Sequence, residues 1–474
     1  MRGWTSTGGN RPTGPRAVAR RALMALLLLA ATFTQAAHGA EPPLAAPGWD
    51  APGQGNPLLP GYAADPSIVH WQGRWYVFTT LDPWGDDRLG LWQSDNGRDW
   101  TFSTPDWPAK AAATSPTSGD AKVWAPSVVQ GRDGRWWMYV SVGSEVWVGT
   151  APTPAGPWRD ANGGKPLIPG NFIPGYHMID AEAFIDDDGQ AYLYWGSGLN
   201  WVNGHCFVVR LNPDMVSFDG QPRDVTPGHY FEAPFMVKAG DRYFLMYSDG
   251  NTIAGTYQVR YAVGESPLGP FTEAPGNPLL ATDADKQIIS PGHHAVFRSG
   301  GQTYILYHRQ ALPFPPADAA VLRQVVVDRL DFGADGLLRR VIPSHGAPVA
   351  GFAPHRTIGL RWRAVGGGDG LHGPARAGDD NYATLWKPAP GEAPVLTADL
   401  GAVRSIKESR LLPEYPTHVY HFHVEASDDG RTWKRITPDQ TGQGSPVIVS
   451  HPVRARYLRL VFTGDAALWE WSIF

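Results

Sequence analysis

The strongest constraint on the fold is an internal repeat in the first two-thirds of the chain. One segment type recurs five times: a short apolar strand, a polar turn containing Gly, and a second strand rich in Trp, Tyr and Phe. Aromatic and β-branched strands joined by such turns are typical of β-hairpins. The five copies are DPSIVHWQGRWYVFTT from Asp65, APSVVQGRDGRWWMYVSV from Ala125, AEAFIDDDGQAYLYWGS from Ala181, APFMVKAGDRYFLMYS from Ala233 and HAVFRSGGQTYILYHR from His294.

The spacing of the copies predicts the architecture. Successive copies start 60, 56, 52 and 61 residues apart, which leaves room for two further strands in each interval. Four-stranded units repeated around an axis are the blades of a β-propeller, and a repeat of this kind decides the fold. The sequence therefore predicts an all-β protein with a five-bladed β-propeller over residues 41–345. The alternative is a β-sandwich or β-solenoid with accidental internal similarity.

The sequence changes in character after the repeat. Residues 346–356 are rich in Gly, Ala and Pro and predict a linker or a closing segment of the last blade. Beyond them, strands such as HFHVEASDDGRTWKRI and RARYLRLVFTG are separated by polar turns without the blade pattern. Roughly 115 residues of this kind suit one small antiparallel β-sandwich of the jelly-roll type. We expect this second domain at residues 357–474.

The first forty residues have the pattern of an export signal. Arg20 and Arg21 precede the apolar run 22–32, and small residues follow as far as Ala40. The run is short for a membrane span, so we expect residues 1–40 to be removed and the mature chain to be secreted or periplasmic without a membrane span. An uncleaved N-terminal anchor is the alternative.

The composition of the chain excludes some classes of binding partner. A net charge of −5 without a basic run argues against nucleic acid. The single cysteine, Cys206, excludes an internal disulfide and a cysteine-rich metal site. Twenty Trp residues fit either sugar stacking or core packing. We expect a monomer whose partner is an oligo- or polysaccharide.

Acidic residues stand in register with the repeat. Asp65 opens the first copy, and Asp180 and Glu232 stand directly before the third and fourth copies. Because the inner strands of a propeller converge on its axis, these three carboxyl groups are expected to share one pocket. Glycoside hydrolysis needs an acid and a base of this type, and a third charge nearby raises the pKa of the acid. Taken singly, an Asp before Pro is usually a turn or cap residue.

Another acidic run has a simpler interpretation. The sequence DDDG, which contains Asp186, Asp187 and Asp188, is typical of a hairpin turn. We therefore expect these three side chains to lie in solvent.

The five repeat segments together resemble glycoside hydrolase family 43. The matching pieces are ADPSIVHWQGRWYVFTT, KVWAPSVVQGRDGRWWMYVS, HMIDAEAFIDDDGQAYLYWGS, YFEAPFMVKAGDRYFLMYS and PGHHAVFRSGGQTYILYHR, which span roughly residues 55–345. The resemblance implies an inverting glycosidase with Asp65 as general base, Glu232 as general acid and Asp180 as the residue that tunes the acid's pKa. Two positions depart from the family pattern: Ala181 replaces the usual Pro, and Ala295 replaces a common Ser.

The same resemblance implies further contacts. His293 matches a histidine at the propeller centre that is often associated with a calcium ion or water, so a metal bound through water is one expectation for it. Arg323 matches an arginine that commonly contacts substrate; the alternative is an exposed strand residue. Catalysis is expected to need no cofactor, with a structural Ca²⁺ as an additional expectation.

Aromatic side chains are candidates for the sugar-stacking walls of the pocket. Trp124 adjoins the inner strand of blade two and is the favoured substrate-binding residue. For the other candidates a core role is equally compatible with the pattern: they are Trp84, Trp147 and Trp195.

The second domain resembles the galactose-binding-like, discoidin-type sandwich, on the segments NYATLWKP, ADLGAVRSIKESRLL, HVEASDDGRTWKRI and ARYLRLVFTG. Such domains are often carbohydrate-binding modules, and the alternative is a domain that braces the propeller. Asp379 or Asp380 could help to bind Ca²⁺, which prefers oxygen ligands. Trp469 and Trp471 are expected to contact either sugar or the propeller.

These observations predict an inverting exo-glycosidase acting on side chains of plant cell-wall polysaccharides, specifically an α-L-arabinofuranosidase. A β-xylosidase and an exo-β-1,3-galactanase on the same propeller are the alternatives within enzymes. The rival class is a non-catalytic carbohydrate-binding propeller, and a second rival is a retaining transferase on a similar propeller.

Overall fold

A computed structural model describes residues 48–119, 122–199, 201–202, 204–314, 320–366 and 370–474. The predicted export signal, residues 1–40, lies outside the described residues. Within the described ranges the protein is almost entirely β-structure, with two short 3-10 helices at Ala284–Lys286 and Pro374–Gly378. None of the helices in this part of the chain is long and apolar enough to cross a membrane.

The repeat forms the five blades that its spacing predicts. Strands in each blade are antiparallel and follow chain order from the inner strand outwards. Blade one has β1–β4 and blade two β5–β8: Ala63–Trp71, Arg74–Leu81, Gly90–Ser94, Thr101–Ser103, Val123–Gln130, Trp136–Val142, Glu145–Ala151 and Arg159–Asp160. Blade three has β9–β12 and blade four β13–β16: Glu182–Ile185, Ala191–Trp195, Phe207–Leu211, Phe218–Asp224, Glu232–Ala239, Arg242–Asp249, Gln258–Gly264 and Thr272–Glu273. Blade five has β17–β19: Gly292–Ser299, Gln302–Gln310 and Arg323–Arg329.

The ring closes on blade five through residues that precede blade one. The backbone N–H of Leu58 donates to the carbonyl of Val325 at 2.8 Å. The side chain of Asn56 exchanges hydrogen bonds with the backbone of Val327, at 2.9 and 3.0 Å. The outer edge of β19 is thereby covered, which satisfies backbone groups that an open edge would expose.

Residues 346–356 pack onto the propeller. Val349 and Phe352 are buried in the core shared by blades one and five, and the ring of Phe352 lies 5.2 Å from that of Trp75. The guanidinium of Arg98 in blade one donates to the carbonyls of Ala347 and Ala353. This segment therefore contributes to the core that joins the first and last blades.

The described residues of the C-terminal domain form seven antiparallel strands around one core. They are β20–β26: Arg363–Ala364, Val395–Pro413, Tyr420–Ser427, Lys434–Arg435, Gln440–Gly442, Val447–Thr463 and Leu468–Ile473. The order is β20-β21-β25-β22-β23, with β24 paired to β22 and β26 to β21. The core includes Trp386, Leu396, Phe422, Leu458 and Trp471. The predicted β-rich second domain is thus confirmed.

The two C-terminal tryptophans are fully buried. Trp471 packs against Trp362 inside the sandwich and donates to the Ser409 hydroxyl at 2.9 Å. Trp469 meets the ring of Tyr62, which lies at the entry to β1, edge-on at 5.1 Å. Trp469 therefore makes the predicted contact with the propeller, whereas neither indole has a free face for sugar.

Candidate active site

The inner strands of the blades end at a cavity of about 410 Å³. The structure brings the predicted catalytic residues and the favoured substrate-binding residues to this one cavity. They come from all five blades and are Asp65, Trp124, Asp180, Glu232, His293 and Arg323. The acidic side chains that are far apart in the chain are therefore neighbours in space.

A shared backbone irregularity directs these side chains into the cavity. Each inner strand has one non-glycine residue in the left-handed region at the same point of the repeat, with φ between 40° and 57°. The ladder to the second strand shifts register there in blades one, two, four and five. Such bulges re-aim side chains and are common next to active sites. The five residues are Asp65, Ala125, Asp180, Ala233 and His293.

Asp65 is buried among cations and donors. Its Oδ2 accepts the Thr80 hydroxyl at 2.6 Å, and its Oδ1 accepts from Arg323 at 3.1 Å. Nδ1 of His308 and Nδ1 of His293 lie 3.1 and 3.2 Å from the same Oδ1. Burial alone would raise the pKa of Asp65, but the charge of Arg323, the electrostatic interaction with His293 and the hydrogen bond from His308 hold it well below its usual value. Asp65 is therefore ionised at neutral pH.

Arg323 is buried at the start of β19, so the alternative of an exposed strand residue is wrong. Its guanidinium makes a bidentate pair with Asp82, with Nη2 2.6 Å from Oδ1 and Nε 3.1 Å from Oδ2. Its backbone N–H donates to the same carboxylate at 2.6 Å. The ring of Trp84 lies 4.4 Å from the guanidinium carbon on the cavity side. Asp82 was not singled out by the sequence, because it follows the second strand of the hairpin and carries no repeat signal.

Glu232 lies in an environment that favours the acid form. Burial raises its pKa to about 7, although the hydrogen bonds from Tyr257 and Ser197 oppose this shift. The Tyr257 hydroxyl donates to Oε1 at 2.6 Å, and the Ser197 hydroxyl donates to Oε2 at 2.9 Å. A carboxyl group that keeps its proton near neutrality can act as a general acid. Neither Tyr257 nor Ser197 stands on an inner strand, which is why the repeat did not reveal them.

Asp180 is the third carboxyl group of the cavity. Burial, and then the charges of Glu232 and Asp65, raise its pKa well above the usual value. Its carboxylate accepts from the backbone N–H of Ala233, the residue after Glu232. The cavity thus holds one ionised carboxylate and two carboxyl groups with raised pKa values, and this asymmetry permits both base and acid chemistry.

His293 lies between two of the carboxyl groups. Its Nδ1 is 3.2 Å from Oδ1 of Asp65 and 3.6 Å from Oδ2 of Asp180. Burial lowers the pKa of His293 to about 4, so the imidazole is neutral at physiological pH. Its ring nitrogen is directed at carboxylates, and the described residues contain no cluster of three or more His, Cys, Asp or Glu side chains fit to hold a metal.

The carboxylates proposed for calcium in the second domain are taken up by protein donors. Asp379 accepts from the Thr384 hydroxyl at 2.8 Å, and Asp380 accepts from Arg356 at 2.9 Å. Ca²⁺ takes six to eight oxygen ligands. Because these two carboxylates already neutralise and bind neighbouring side chains, they do not fit the expected calcium site.

Some of the candidate tryptophans line the cavity, and others are buried in the cores of the blades. Trp84 and Trp124 line the cavity, and the indole N–H of Trp124 donates to the carbonyl of Gly143 at 3.0 Å, which fixes the plane of its ring. Trp147 and Trp195 are fully buried in the cores of the blades, so their proposed role as sugar-stacking walls is wrong. Trp201 also lines the cavity; it lies in a loop after the inner hairpin of blade three and was not predicted.

The DDDG turn is only partly in solvent. Asp187 and Asp188 are exposed, as expected, but the side chain of Asp186 is buried. Its oxygens accept from Lys238 and from the Tyr243 hydroxyl, both at 2.5 Å. These partners belong to blade four, so Asp186 joins two adjacent blades, and the sequence of the turn alone could not indicate this.

The fold and the acid-lined cavity are those of a carbohydrate-active hydrolase. The family model described as glycosyl hydrolases family 43 matches residues 54–338, and the model described as F5/8 type C domain matches residues 365–474. The chain therefore belongs to glycoside hydrolase family 43 and is a glycoside hydrolase with a C-terminal discoidin-type domain. The alternative of a non-catalytic propeller is thereby set aside.

Individual relatives point to several substrates. The chain is 34% identical over 304 residues to a protein named beta-D-galactofuranosidase xynD from Aspergillus niger, covering 60% of this chain and 83% of the relative. It is 28% identical to an arabinoxylan arabinofuranohydrolase from Bacillus subtilis, covering 62% of this chain and 65% of the relative. A solved structure titled glycoside hydrolase superposes with a TM-score of 0.74 at 26% identity, covering 90% of this chain and all of the other.

Proposed function

We propose that this protein is an exo-acting, inverting α-L-arabinofuranosidase that removes side chains from plant cell-wall polysaccharides. The observation that carries the proposal is the pairing, in one cavity, of an ionised Asp65 with a Glu232 whose pKa is about 7. Hydrolysis with inversion needs a base that activates water on one face of the sugar and an acid that protonates the leaving oxygen on the other.

The proposed reaction uses each group once. Glu232 gives its proton to the glycosidic oxygen as the bond from that oxygen to the anomeric carbon breaks. Asp65 removes a proton from a water molecule whose oxygen bonds to the anomeric carbon from the opposite face. The net change is addition of water across the glycosidic bond, and the anomeric configuration is inverted.

The neighbouring residues set the protonation states. Arg323 and His308 stabilise the Asp65 carboxylate, so the base is ready to accept a proton. Asp180 is the proposed tuning residue, because its carboxyl group binds the backbone N–H of the residue after Glu232 and couples electrostatically to both other acids. His293 is proposed to help orient substrate and, as a neutral imidazole, can either donate or accept a hydrogen bond.

The substrate is proposed to be a furanoside. The names of both relatives described above refer to furanosyl bonds. Trp84, Trp124 and Trp201 provide apolar walls suited to the face of a sugar ring, while the charged groups lie at the inner-strand ends. β-D-Galactofuranosidase activity is the second candidate, favoured by the 34% identical relative. Its sugar has the ring configuration of α-L-arabinofuranose with one additional exocyclic carbon.

The proposal is tested by a panel of nitrophenyl glycosides carrying α-L-arabinofuranose, β-D-galactofuranose, β-D-xylopyranose and β-D-galactopyranose, together with arabinan, arabinoxylan and galactan. We expect the arabinofuranoside to be cleaved fastest, with the inverted anomer appearing first by NMR. Preference for the second sugar would select the galactofuranosidase, and preference for a pyranoside would overturn the furanosidase proposal.

The acid assignment has its own test. Replacing Glu232 with Gln should abolish hydrolysis of natural glycosides, whose leaving oxygen needs a proton, and spare dinitrophenyl glycosides, whose leaving group does not. Full activity of this variant on natural glycosides would show that another group is the acid. We also propose export of the enzyme, supported by the pattern in residues 1–40; N-terminal sequencing of protein recovered outside the cytoplasm tests it.

A further inference from the structure

Tyr62 joins the C-terminal sandwich to the hairpin that carries the proposed base. Its ring contacts Trp469 at 5.1 Å and Tyr415 at 5.5 Å, and its hydroxyl donates to Oε1 of Glu414 at 3.3 Å. The same Glu414 oxygen lies 2.5 Å from Nζ of Lys387. The side chain of Tyr62 is therefore held almost entirely by residues of the second domain.

The backbone of Tyr62 leads directly to the site. Its carbonyl accepts the backbone N–H of Asp82 at 3.3 Å, which continues the ladder between the adjacent ends of β1 and β2. Asp65 lies three residues further along β1, and Asp82 binds Arg323 through its carboxylate. One anchored residue thus fixes the end of the hairpin from which both carboxylates project.

A second contact from the sandwich reaches the other half of the ion pair. The amide of Gln324, the residue after Arg323, donates to the carbonyl of Tyr382 at 2.9 Å, and both groups are buried. Arg356 stacks over the ring of Tyr382 at 3.7 Å and binds Asp380. Both partners of the Arg323–Asp82 pair therefore have an immediate neighbour attached to the second domain.

We propose that the C-terminal sandwich is a positioning element of the active site, acting through Tyr62 and Gln324 on the Asp82–Arg323 pair that orients Asp65. This inference rests on the proposed role of Asp65 as base. It goes beyond a bracing role for the domain, because two of its contacts with the propeller, at Tyr62 and Gln324, are made by residues that adjoin the Asp82–Arg323 pair.

The charge of Asp65 depends on its distance from Arg323. Asp65 keeps its charge in a buried site because the guanidinium of Arg323 lies 3.1 Å from its Oδ1. If either anchor is lost, the Arg323–Asp82 pair gains freedom and the average separation from Asp65 increases. The interaction of two charges falls with separation and is strong where water is excluded. The carboxylate is then harder to ionise, so the acid side of the pH–rate profile moves to higher pH.

The experiment measures kcat/KM against pH for the full chain and four variants. Tyr62→Ala removes the ring, and Gln324→Leu removes the amide donor at similar volume. Tyr62→Phe keeps the ring and loses only the hydroxyl. Thr357→Val is the matched control: it removes a hydrogen bond from the first residue of the second domain to Asp99 of blade one, which touches neither Asp82 nor Arg323.

We expect the acid limb of Tyr62→Ala and Gln324→Leu to rise by about half to one pH unit, so that kcat/KM at a fixed pH on that limb falls about 3- to 10-fold. Tyr62→Phe and Thr357→Val should keep the wild-type limb. If Tyr62→Ala does not fold, Gln324→Leu decides the question alone. Unchanged acid limbs in the folded variants, or an equal shift in Thr357→Val, would overturn the inference. Absence of wild-type glycosidase activity would instead overturn the proposed function.

Discussion

The hydroxyl of Tyr257 donates to Oε1 of Glu232 at 2.6 Å, while the ring of Tyr257 lies parallel to that of His308 at 5.7 Å. Nδ1 of His308 in turn lies 3.1 Å from Oδ1 of Asp65. One aromatic stack therefore connects the surroundings of the proposed acid to those of the proposed base. Tyr257 lies directly before the third strand of blade four and His308 lies on the second strand of blade five, so both stand outside the inner strands.

The first prediction concerns Tyr257→Phe. A hydrogen bond to an ionised carboxylate favours ionisation, so its loss should raise the pKa of Glu232 above its value of about 7. Glu232 must be protonated to act, and activity should therefore persist to higher pH in this variant. The basic limb of kcat/KM against pH measures the change. A basic limb that moves to lower pH would contradict the assignment of Glu232 as acid, and Ser197→Ala should shift it in the same direction as Tyr257→Phe.

The second prediction concerns the buried ion pair. Arg323→Ala leaves the buried carboxylate of Asp82 without its cation, and breaking a buried pair in this way costs roughly 3–5 kcal/mol. The melting temperature should fall, and activity should be lost because Asp65 also loses its neighbour. Arg74→Ala, which breaks an exposed pair with Asp95, is the control and should cost about 0–1 kcal/mol. Similar melting temperatures for the two variants would show that the buried pair contributes no more to stability than the exposed pair.

The third prediction compares Trp124, which lines the cavity, with Trp147, which is buried in the core of blade two. Trp124→Ala should raise KM with little change in melting temperature, because Trp124 lines the cavity. Trp147→Ala should lower stability by roughly 3–5 kcal/mol, because it empties a fully buried site in blade two. Thermal unfolding and steady-state kinetics on the same two variants make the comparison. A large loss of stability in Trp124→Ala, with KM unchanged, would show that it belongs to the core.

The fourth prediction concerns stability against pH. Burial, followed by the charges of Asp379 and Asp380, raises the pKa of Glu470 from 4.5 to about 8. A group whose pKa is raised by folding contributes stability that is complete below 4.5 and is lost as pH rises towards 8, at about 1.4 kcal/mol per pH unit for one proton. Glu470→Gln should therefore flatten the decline of melting temperature between pH 5 and pH 8. Asp187→Asn, an exposed control, should leave the decline unchanged.

The sequence predicted the features that the repeat encodes, and it missed site residues that lie outside the inner strands. The five hairpins follow from the repeat, and the convergence of Asp65, Asp180 and Glu232 follows because the same ends of the inner strands meet at the axis of a propeller. Asp82 and Tyr257 were missed because they lie outside the inner strands, where no register signal exists. Their roles depend on which blades become neighbours, a property of the closed ring.

The tryptophans show that residue type alone does not predict whether a side chain lines the cavity or packs in a core. Wall and core positions share one residue type, because an indole suits both a sugar face and a packed interior. Trp124 lies at the start of an inner strand and lines the cavity, whereas Trp147, on the third strand of blade two, and Trp195, on the second strand of blade three, are buried in the cores of the blades. Asp186 failed for a related reason: its turn sequence was interpreted properly, but its partners on blade four are 52 and 57 residues away.

The left-handed residue of each inner strand has a consequence for redesign. Three of these five equivalent positions carry a polar side chain: Asp65, Asp180 and His293. Ala125 and Ala233 have the same backbone conformation but only a methyl group. Both stand next to a cavity residue, Trp124 and Glu232 respectively. To alter the sugar preference, larger side chains can therefore be introduced at Ala125 and Ala233, where the backbone conformation already matches that of Asp65 and no loop has to be remodelled.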